Sequence, residues 1–266
     1  MCELFGFSAD REYAISNLLQ AFFEHSYCHK HGWGMAMYRA GNKNPFLAKE
    51  AVPAYRSAYL YKLLKQDTGI VTHLGIAHIR FASKGNVSLV NTHPFVARIK
   101  KTDWVLAHNG TLYGKICTNK NKNKGQTDSE KILCKISEAI ENCTKKTEIE
   151  KLENTLAELT WRGHMNLLFT EGKSLFVYCN RRKTLYLHEK PGRSIIMTNP
   201  VTNHGWKPLE TNRLFIYENG IRIYEGRRLD SDILIESEWE DYFRNRYENY
   251  AAIKETGVFQ KCKKNA

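Results

Sequence analysis

The chain has 266 residues, 42% of them hydrophobic and 26% charged, so it is too apolar for a disordered segment and long enough to bury roughly three quarters of its unfolded surface without disulfide or metal staples. Its apolar runs are short and interrupted by Lys, His or Arg, which excludes a membrane-spanning helix, and no internal repeat is visible. The net charge of +12 raises the prospect of an anionic partner, with part of the excess held between Arg98 and Lys124 and part in Lys254, Lys261, Lys263 and Lys264.

In chain order, residues 2–9 alternate and predict a strand. Ile15, Leu18, Leu19, Phe22 and Phe23 recur at helical spacing and predict an amphipathic helix over 14–27. Gly32 to Tyr38 predicts a strand, and Tyr59, Leu60, Leu63 and Leu64 a second helix. Ile70 to Ala82 and Trp104 to His108 are β-like, and the Asn/Lys-rich stretch Lys115 to Gln126 is expected to be a mobile loop. Thr127 and Glu130 form a capping box ahead of Ile132, Leu133, Ile136, Ala139, Ile140 and Cys143, and another helix is predicted over 147–161. Short strands follow. Asn166–Thr170 and Leu175–Tyr178 are joined by Glu171-Gly172, and Leu214–Tyr217 and Ile221–Tyr224 by Asn219-Gly220, a strong hairpin signal. A last helix is expected over 232–254, then a loose tail over 255–266. Hairpins without βαβ alternation, and no Pro/Gly/Ser-rich linker, predict an α+β chain in which 1–254 form a single domain of stacked sheets flanked by helices.

Seven cysteines stand at 2, 28, 117, 134, 143, 179 and 262. An odd number with no CxxC pair predicts reduced thiols in a cytoplasm. The residues Met1 to Phe7 lack a basic segment and a long apolar run, so no signal peptide is expected.

Several residues could carry chemistry. Once Met1 is removed, Cys2 holds both a thiol, with a reference pKa of about 8.5, and an α-amine near about 7.8 that can act as its base. A cysteine at that position is also an ordinary small core residue. Asn109-Gly110, after Trp104 to His108, reads as a strand running into a tight turn. Its alternative role is to offer an amide NH2 and a backbone N–H to a tetrahedral oxyanion. Arg80 either caps a strand or grips a carboxylate with its planar fork, and Asp128 either serves the start of a helix or takes an ammonium. His93 by itself reads as a hydrogen-bonded structural residue. Together the set can bind an α-amino acid and cleave its side-chain amide.

The motifs also resemble a known family. Cys2, Lys30-His31-Gly32-Trp33-Gly34, His78-Ile79-Arg80, Asn91-Thr92-His93-Pro94-Phe95, His108-Asn109-Gly110 and Thr127-Asp128-Ser129-Glu130 recur in this order in class II glutamine amidotransferases, most nearly in the stand-alone bacterial type without a fused synthase domain. The resemblance spans roughly residues 2–225. It implies a four-layer αββα N-terminal-nucleophile hydrolase sandwich of two mostly antiparallel sheets. It also implies that Cys2 attacks the γ-carboxamide of glutamine and releases ammonia through a γ-glutamyl thioester. Asn109 and Gly110 would hold the oxyanion, Arg80 the α-carboxylate and Asp128 the α-ammonium, with Ser83 and His93 at the substrate. It implies neither cofactor nor metal. His31 and Lys84 depart from the family pattern and bear on the electrostatics of the pocket.

Rival readings remain at this point. The basic stretch 98–124 could bind RNA, but no base-stacking motif such as that of an RNA-recognition module accompanies it, which weighs against nucleic acid. His25, Cys28, His29 and His31 are zinc-ligand types without a second pair at a standard spacing. The substrate could equally be a γ-glutamyl peptide or conjugate, since it presents the same head group. A separate synthase or acceptor protein, and a homodimer, stay open as partners.

Overall fold

The computed structural model describes residues 2–66, 69–116, 118 and 125–229. The helix expected over 232–254, the tail 255–266 and most of the basic loop lie outside the described residues. In chain order the elements are β1 (Glu3–Ala14), α1 (Ser16–Glu24), β2 (Trp33–Tyr38), β3 (Phe46–Glu50), α2 (Ala58–Lys65), β4 (Val71–Ile79), β5 (Phe95–Ile99) and β6 (Thr102–Leu112). There follow α3 (Asp128–Glu141), α4 (Glu148–Thr160), β7 (Gly163–Thr170), β8 (Leu175–Cys179), β9 (Tyr186–Lys190), β10 (Arg193–Met197), β11 (Trp206–Pro208), β12 (Arg213–Glu218) and β13 (Ile221–Glu225).

These strands make two sheets, one of seven in the order β11-β9-β10-β1-β4-β2-β3 and one of six in the order β13-β12-β8-β7-β6-β5. Every pairing between neighbours is antiparallel. The period-two alternation of each strand decides the layering. On β1, Leu4 faces the second sheet and packs with Ile76, Val105, Ala107, Leu168, Val177 and Phe215, while Phe5 and Phe7 face α1 and α2 and pack with Leu19, Phe22 and Leu60. On β6, Leu106 turns the other way, toward Ile132 and Ile136 of α3 and Leu152 and Leu156 of α4. The result is helix, sheet, sheet, helix, the four-layer sandwich expected from the resemblance. Each large apolar side chain removed from water here contributes about 1.5–3 kcal/mol.

The Asn219-Gly220 turn joins β12 to β13 with φ of 49° and 78°, both in the left-handed region that a tight hairpin turn requires. This turn also stitches the sheets together. Gly220 N–H donates to Ser8 Oγ of β1 (3.1 Å), and Ser194 Oγ of β10 donates to the Gly220 carbonyl (2.9 Å).

The structure departs from the sequence reading in places. The first strand runs on to Ala14 through an irregularity between Ser8 and Tyr13. The first helix ends at Glu24 and tightens into a 3-10 turn over His25–Tyr27. The β-like stretch from Ile70 stops at Ile79, which leaves Arg80 to Ala82 outside the strand. Asn109-Gly110 is no turn: both lie inside β6, opposite Asn166 and Met165 of β7. The pairing overrides the local propensity, and glycine is required there because a Cβ on Gly110 would sit 1.9 Å from the His164 carbonyl oxygen.

Candidate active site

Three segments meet beside the start of β1: the loop that leaves β4, the end of β6 and the beginning of α3. Cys2 immediately precedes β1. Its Sγ accepts the Phe81 N–H (3.2 Å) and faces the Phe81 carbonyl (3.4 Å). Burial pushes the Cys2 thiol up, the Phe81 N–H and the Arg80 guanidinium pull it down, and Asp128 adds to the rise. Arg80 and Asp128 are thus each near enough to act on the Cys2 thiol.

Arg80 is buried, and its backbone continues the sheet by accepting from His31 N–H (3.1 Å) and donating to the Gly32 carbonyl (2.8 Å). Its guanidinium holds the following loop, with Nη1 on the Asn86 carbonyl (3.0 Å) and Nη2 on those of Lys84 (3.0 Å) and Gly85 (3.2 Å). Ser83 Oγ lies 3.2 Å from Thr111 Oγ1 of β6, and Lys84 Nζ donates to the Leu112 carbonyl (2.7 Å). The loop is thereby laid along the strand that carries Asn109 and Gly110.

Asn109 is buried on the face of β6 that also presents Val105 and Ala107 to the first sheet, and its Oδ1 has no hydrogen-bond partner among the described residues. Asp128 opens α3, where Thr127 Oγ1 accepts the Glu130 N–H (3.3 Å), the hydroxyl half of the expected capping box. The carboxylate of Glu130 instead receives the Gly125 N–H (2.7 Å). His93 is buried, its ring 4.0 Å from that of His78 and 4.6 Å from that of Phe95. Burial pushes both imidazoles far down, so they are neutral at ordinary pH.

The structure brings Cys2, Arg80, Ser83 and Asp128 to one end of the sandwich with the β6 segment that carries Asn109 and Gly110. His93 stands deeper, against His78. The crowd of His25, Cys28, His29 and His31 has another arrangement than a metal centre. No group of three or more His, Cys, Asp or Glu side chains among the described residues is placed to hold a metal ion. His31 Nδ1 accepts the Ala82 N–H (2.9 Å), and His25 and His29 each face the buried carboxylate of Glu3 at 3.8 Å. Phe81, Thr111, Glu3 and Thr198 stand outside the candidate residues that the sequence motifs point to. Only Glu3 carried a signal, as a carboxylate at an inward position of an otherwise apolar strand. Of the basic stretch, Arg98 pairs with Asp103 (2.9 Å) and Lys100 Nζ donates to the Cys143 carbonyl (2.7 Å). No helix among the described residues is long and apolar enough to cross a membrane.

Comparison with known proteins bears on the family and the fold. The family model for class II glutamine amidotransferases matches residues 1–194. The chain is similar to the Escherichia coli protein YafJ, which carries the provisional name of a glutamine amidotransferase, with 34% identity over 192 residues, 68% of this chain and 73% of that one. It is 33% identical over 261 residues to an uncharacterized protein of Methanocaldococcus jannaschii, covering 86% of this chain and 72% of the other. Among solved structures, a predicted glutamine amidotransferase of Pseudomonas aeruginosa superposes with a TM-score of 0.59 at 20% identity, over 84% of this chain and all (100%) of that one. The glutamine phosphoribosylpyrophosphate amidotransferase of Bacillus subtilis superposes with a TM-score of 0.61 at 17% identity, over 87% of this chain and 50% of that one, which shows a shared fold. From the match of the family model and the sequence likeness to YafJ, the chain belongs to the class II glutamine amidotransferase family.

Proposed function

We propose that this chain is an amidohydrolase whose N-terminal cysteine cleaves the γ-carboxamide of glutamine. The observation that carries the reading is the placement of the Cys2 thiol against the Phe81 backbone, within electrostatic reach of both Arg80 and Asp128. A thiol alone would be unremarkable. A thiol with a guanidinium and a carboxylate both in its neighbourhood suits a substrate with an amide at one end and an α-carboxylate and α-ammonium at the other.

Removal of Met1 frees the α-amine of Cys2, which takes the thiol proton as the sulfur attacks the amide carbon. Asn109 Nδ2 and the Gly110 N–H stabilise the tetrahedral oxyanion. The intermediate collapses as the α-ammonium returns its proton to the leaving nitrogen. Ammonia departs, a γ-glutamyl thioester remains, and water hydrolyses it to glutamate and the free thiol. Arg80 receives the α-carboxylate by exchanging loop carbonyls for substrate oxygens, and Asp128 receives the α-ammonium. Ser83 lies beside this path, and His93 supports it from behind. The ammonia goes to water or to a separate synthase or acceptor protein.

The test is ammonia or amine release from purified protein with glutamine, a γ-glutamyl dipeptide and asparagine. Turnover of glutamine is expected, with asparagine inert because its amide is one methylene too short to reach the thiol from the same clamps. Turnover of the dipeptide alone would move the assignment to γ-glutamyl conjugates. Turnover of none, with Cys2 shown to be N-terminal, would overturn the reading.

A further inference from the structure

The residue after the nucleophile is a buried acid. On β1, Glu3 points with Phe5 and Phe7 toward the helix layer, and it is 6% exposed. Burial alone would push its carboxyl up, yet the two facing imidazoles and a hydroxyl hold it below the usual carboxylate range. The hydroxyl is that of Thr198, just beyond β10. Thr198 Oγ1 donates to Glu3 Oε2 (2.6 Å) and accepts the Leu4 N–H (3.0 Å), while the Thr198 N–H donates to the Leu4 carbonyl (3.2 Å). The other oxygen, Oε1, stands 3.8 Å from His29 Nε2, and His25 Nδ1 stands 3.8 Å from Oε2. His29 is itself fixed, its Nδ1 lying 3.0 Å from the His25 carbonyl. A carbonyl only accepts, so Nδ1 carries the hydrogen of that bond.

The first two residues of β1 are therefore held from the side chain by Thr198 and from the backbone by Thr198 again. An acid is a costly choice at this depth unless its oxygens are committed. A leucine would satisfy the packing of Phe5 and Phe7 without any of these contacts. What the acid adds is a fixed direction for the peptide that precedes it, and that peptide carries Cys2.

We propose that Glu3, acting through Thr198, is a positioning residue for the nucleophile: it sets the path of the chain at residues 2–4 so that the Cys2 thiol stays seated against the Phe81 backbone. This inference rests on the reading of Cys2 as the nucleophile. Glu3 touches neither Arg80 nor Asp128, so its loss acts on the attack and leaves substrate binding in place.

The test compares Glu3→Ala, Glu3→Gln, Thr198→Val and Thr198→Ser with the parent, measuring kcat and KM for glutamine and the rate at which iodoacetamide alkylates Cys2. Glu3→Ala and Thr198→Val are expected to lower kcat about 10- to 100-fold, since displacement of a reacting atom by about 1 Å has an effect of that order. KM should stay within about 2-fold. Glu3→Gln, whose carbonyl still accepts from Thr198, and Thr198→Ser should keep kcat within about 3-fold. The double variant of Glu3→Ala and Thr198→Val should be no slower than the worse single variant, because both break one network. Parental kcat in Thr198→Val, or KM rising in step with the fall in kcat, overturns the inference. If Glu3→Ala does not fold, the Thr198 pair decides by the same criteria. If the parent hydrolyses no γ-glutamyl substrate, the alkylation rate decides instead: slowed in Thr198→Val and restored in Thr198→Ser supports positioning, and equal rates overturn it. Active parent with unaltered variants sinks only the role of Glu3.

Discussion

Asp128 Oδ2 accepts the Leu112 N–H at 2.6 Å, so the first carboxylate of α3 is tied to the end of the strand that carries Asn109 and Gly110. The same carboxylate receives the Ser129 N–H on Oδ1 (3.1 Å). Its position is therefore set by the protein before any ligand arrives, and an ammonium would approach an acid that is already aimed.

This tie makes Asp128→Asn informative. The amide oxygen still accepts from Leu112, so the strand end stays in place while the charge is lost. KM for glutamine should rise about 10-fold or more, as the loss of a charge-assisted hydrogen bond worth about 1.5–3 kcal/mol implies. The melting temperature should fall only slightly, since the helix N-terminus loses a favourable charge worth about 0.3–1 kcal/mol. Steady-state kinetics and a thermal melt check both, and an unchanged KM removes the ammonium role.

Arg80→Lys should act on two levels. A lysine cannot reproduce the fork on the carbonyls of Lys84, Gly85 and Asn86, so the loop loses its anchor along with the carboxylate clamp. KM is expected to rise at least about 10-fold, and limited proteolysis should cut within 83–90 faster than in the parent. A parental digestion pattern would mean that the loop is held by its other contacts.

Cys2→Ala should bind glutamine as the parent does and hydrolyse none of it, which calorimetry and ammonia release together measure. Asn109→Ala should instead keep the thiol and lower kcat on the order of 10²–10³-fold with little change in KM. An electrophilic glutamine analogue should add its mass at Cys2. Burial pushes the Cys179 thiol up to about 12 and the Cys28 thiol up as well, as it does that of Cys2, so the label is directed to Cys2 by its own α-amine and by the Arg80 and Asp128 clamps proposed for the analogue, not by thiol acidity. Mass spectrometry that finds the label on Cys28, with Cys2 untouched, would reassign the nucleophile.

Acid should destabilise the fold through its buried histidines. Burial, with Arg181 and His108 adding to it, pushes the His164 imidazole down to about 3. The unfolded chain takes up this proton at about 6.5, so between those values the unfolded state holds more protons and stability falls as pH falls. One such group contributes a slope of up to about 1.4 kcal/mol per pH unit. Urea denaturation between pH 7 and 4 should show a shallower decline in His164→Gln than in the parent. Parallel curves would show that this histidine takes up its proton as readily in the folded protein as in the unfolded chain.

The elements easiest to read in the sequence were those specified within a few neighbouring residues. Thr127 and Glu130 announced α3 locally, and Asn219-Gly220 announced its hairpin. Asn109-Gly110 carried the same kind of local signal and was misleading, because its conformation is decided by β7, more than fifty residues downstream. β3, β5, β9, β10 and β11 are five residues or fewer, too short to set a period; β8 and β13 are as short, and are legible through the Glu171-Gly172 and Asn219-Gly220 turns that precede them. At the site, the candidates came from ordered motifs, while the supports did not. Thr198 has no motif, and its two partners stand 194 and 195 residues earlier. The crowd of histidines at 25–31 resembled a metal centre because the acid that explains His25 and His29, Glu3, is remote in sequence and adjacent only once β1 is in place.

The position of β1 between β4 and β10 also orders events during synthesis. One flank of the strand can pair once residue 79 has emerged, but the other waits for 193–197, and the Thr198 latch comes later still. Pairing across that separation is slow to form. Until then Glu3 to Ser8 have β4 alone to pair with. The sheet around Glu3 and Leu4 is therefore completed only by residues nearly two hundred positions downstream, so its closure is a late, long-range step of folding.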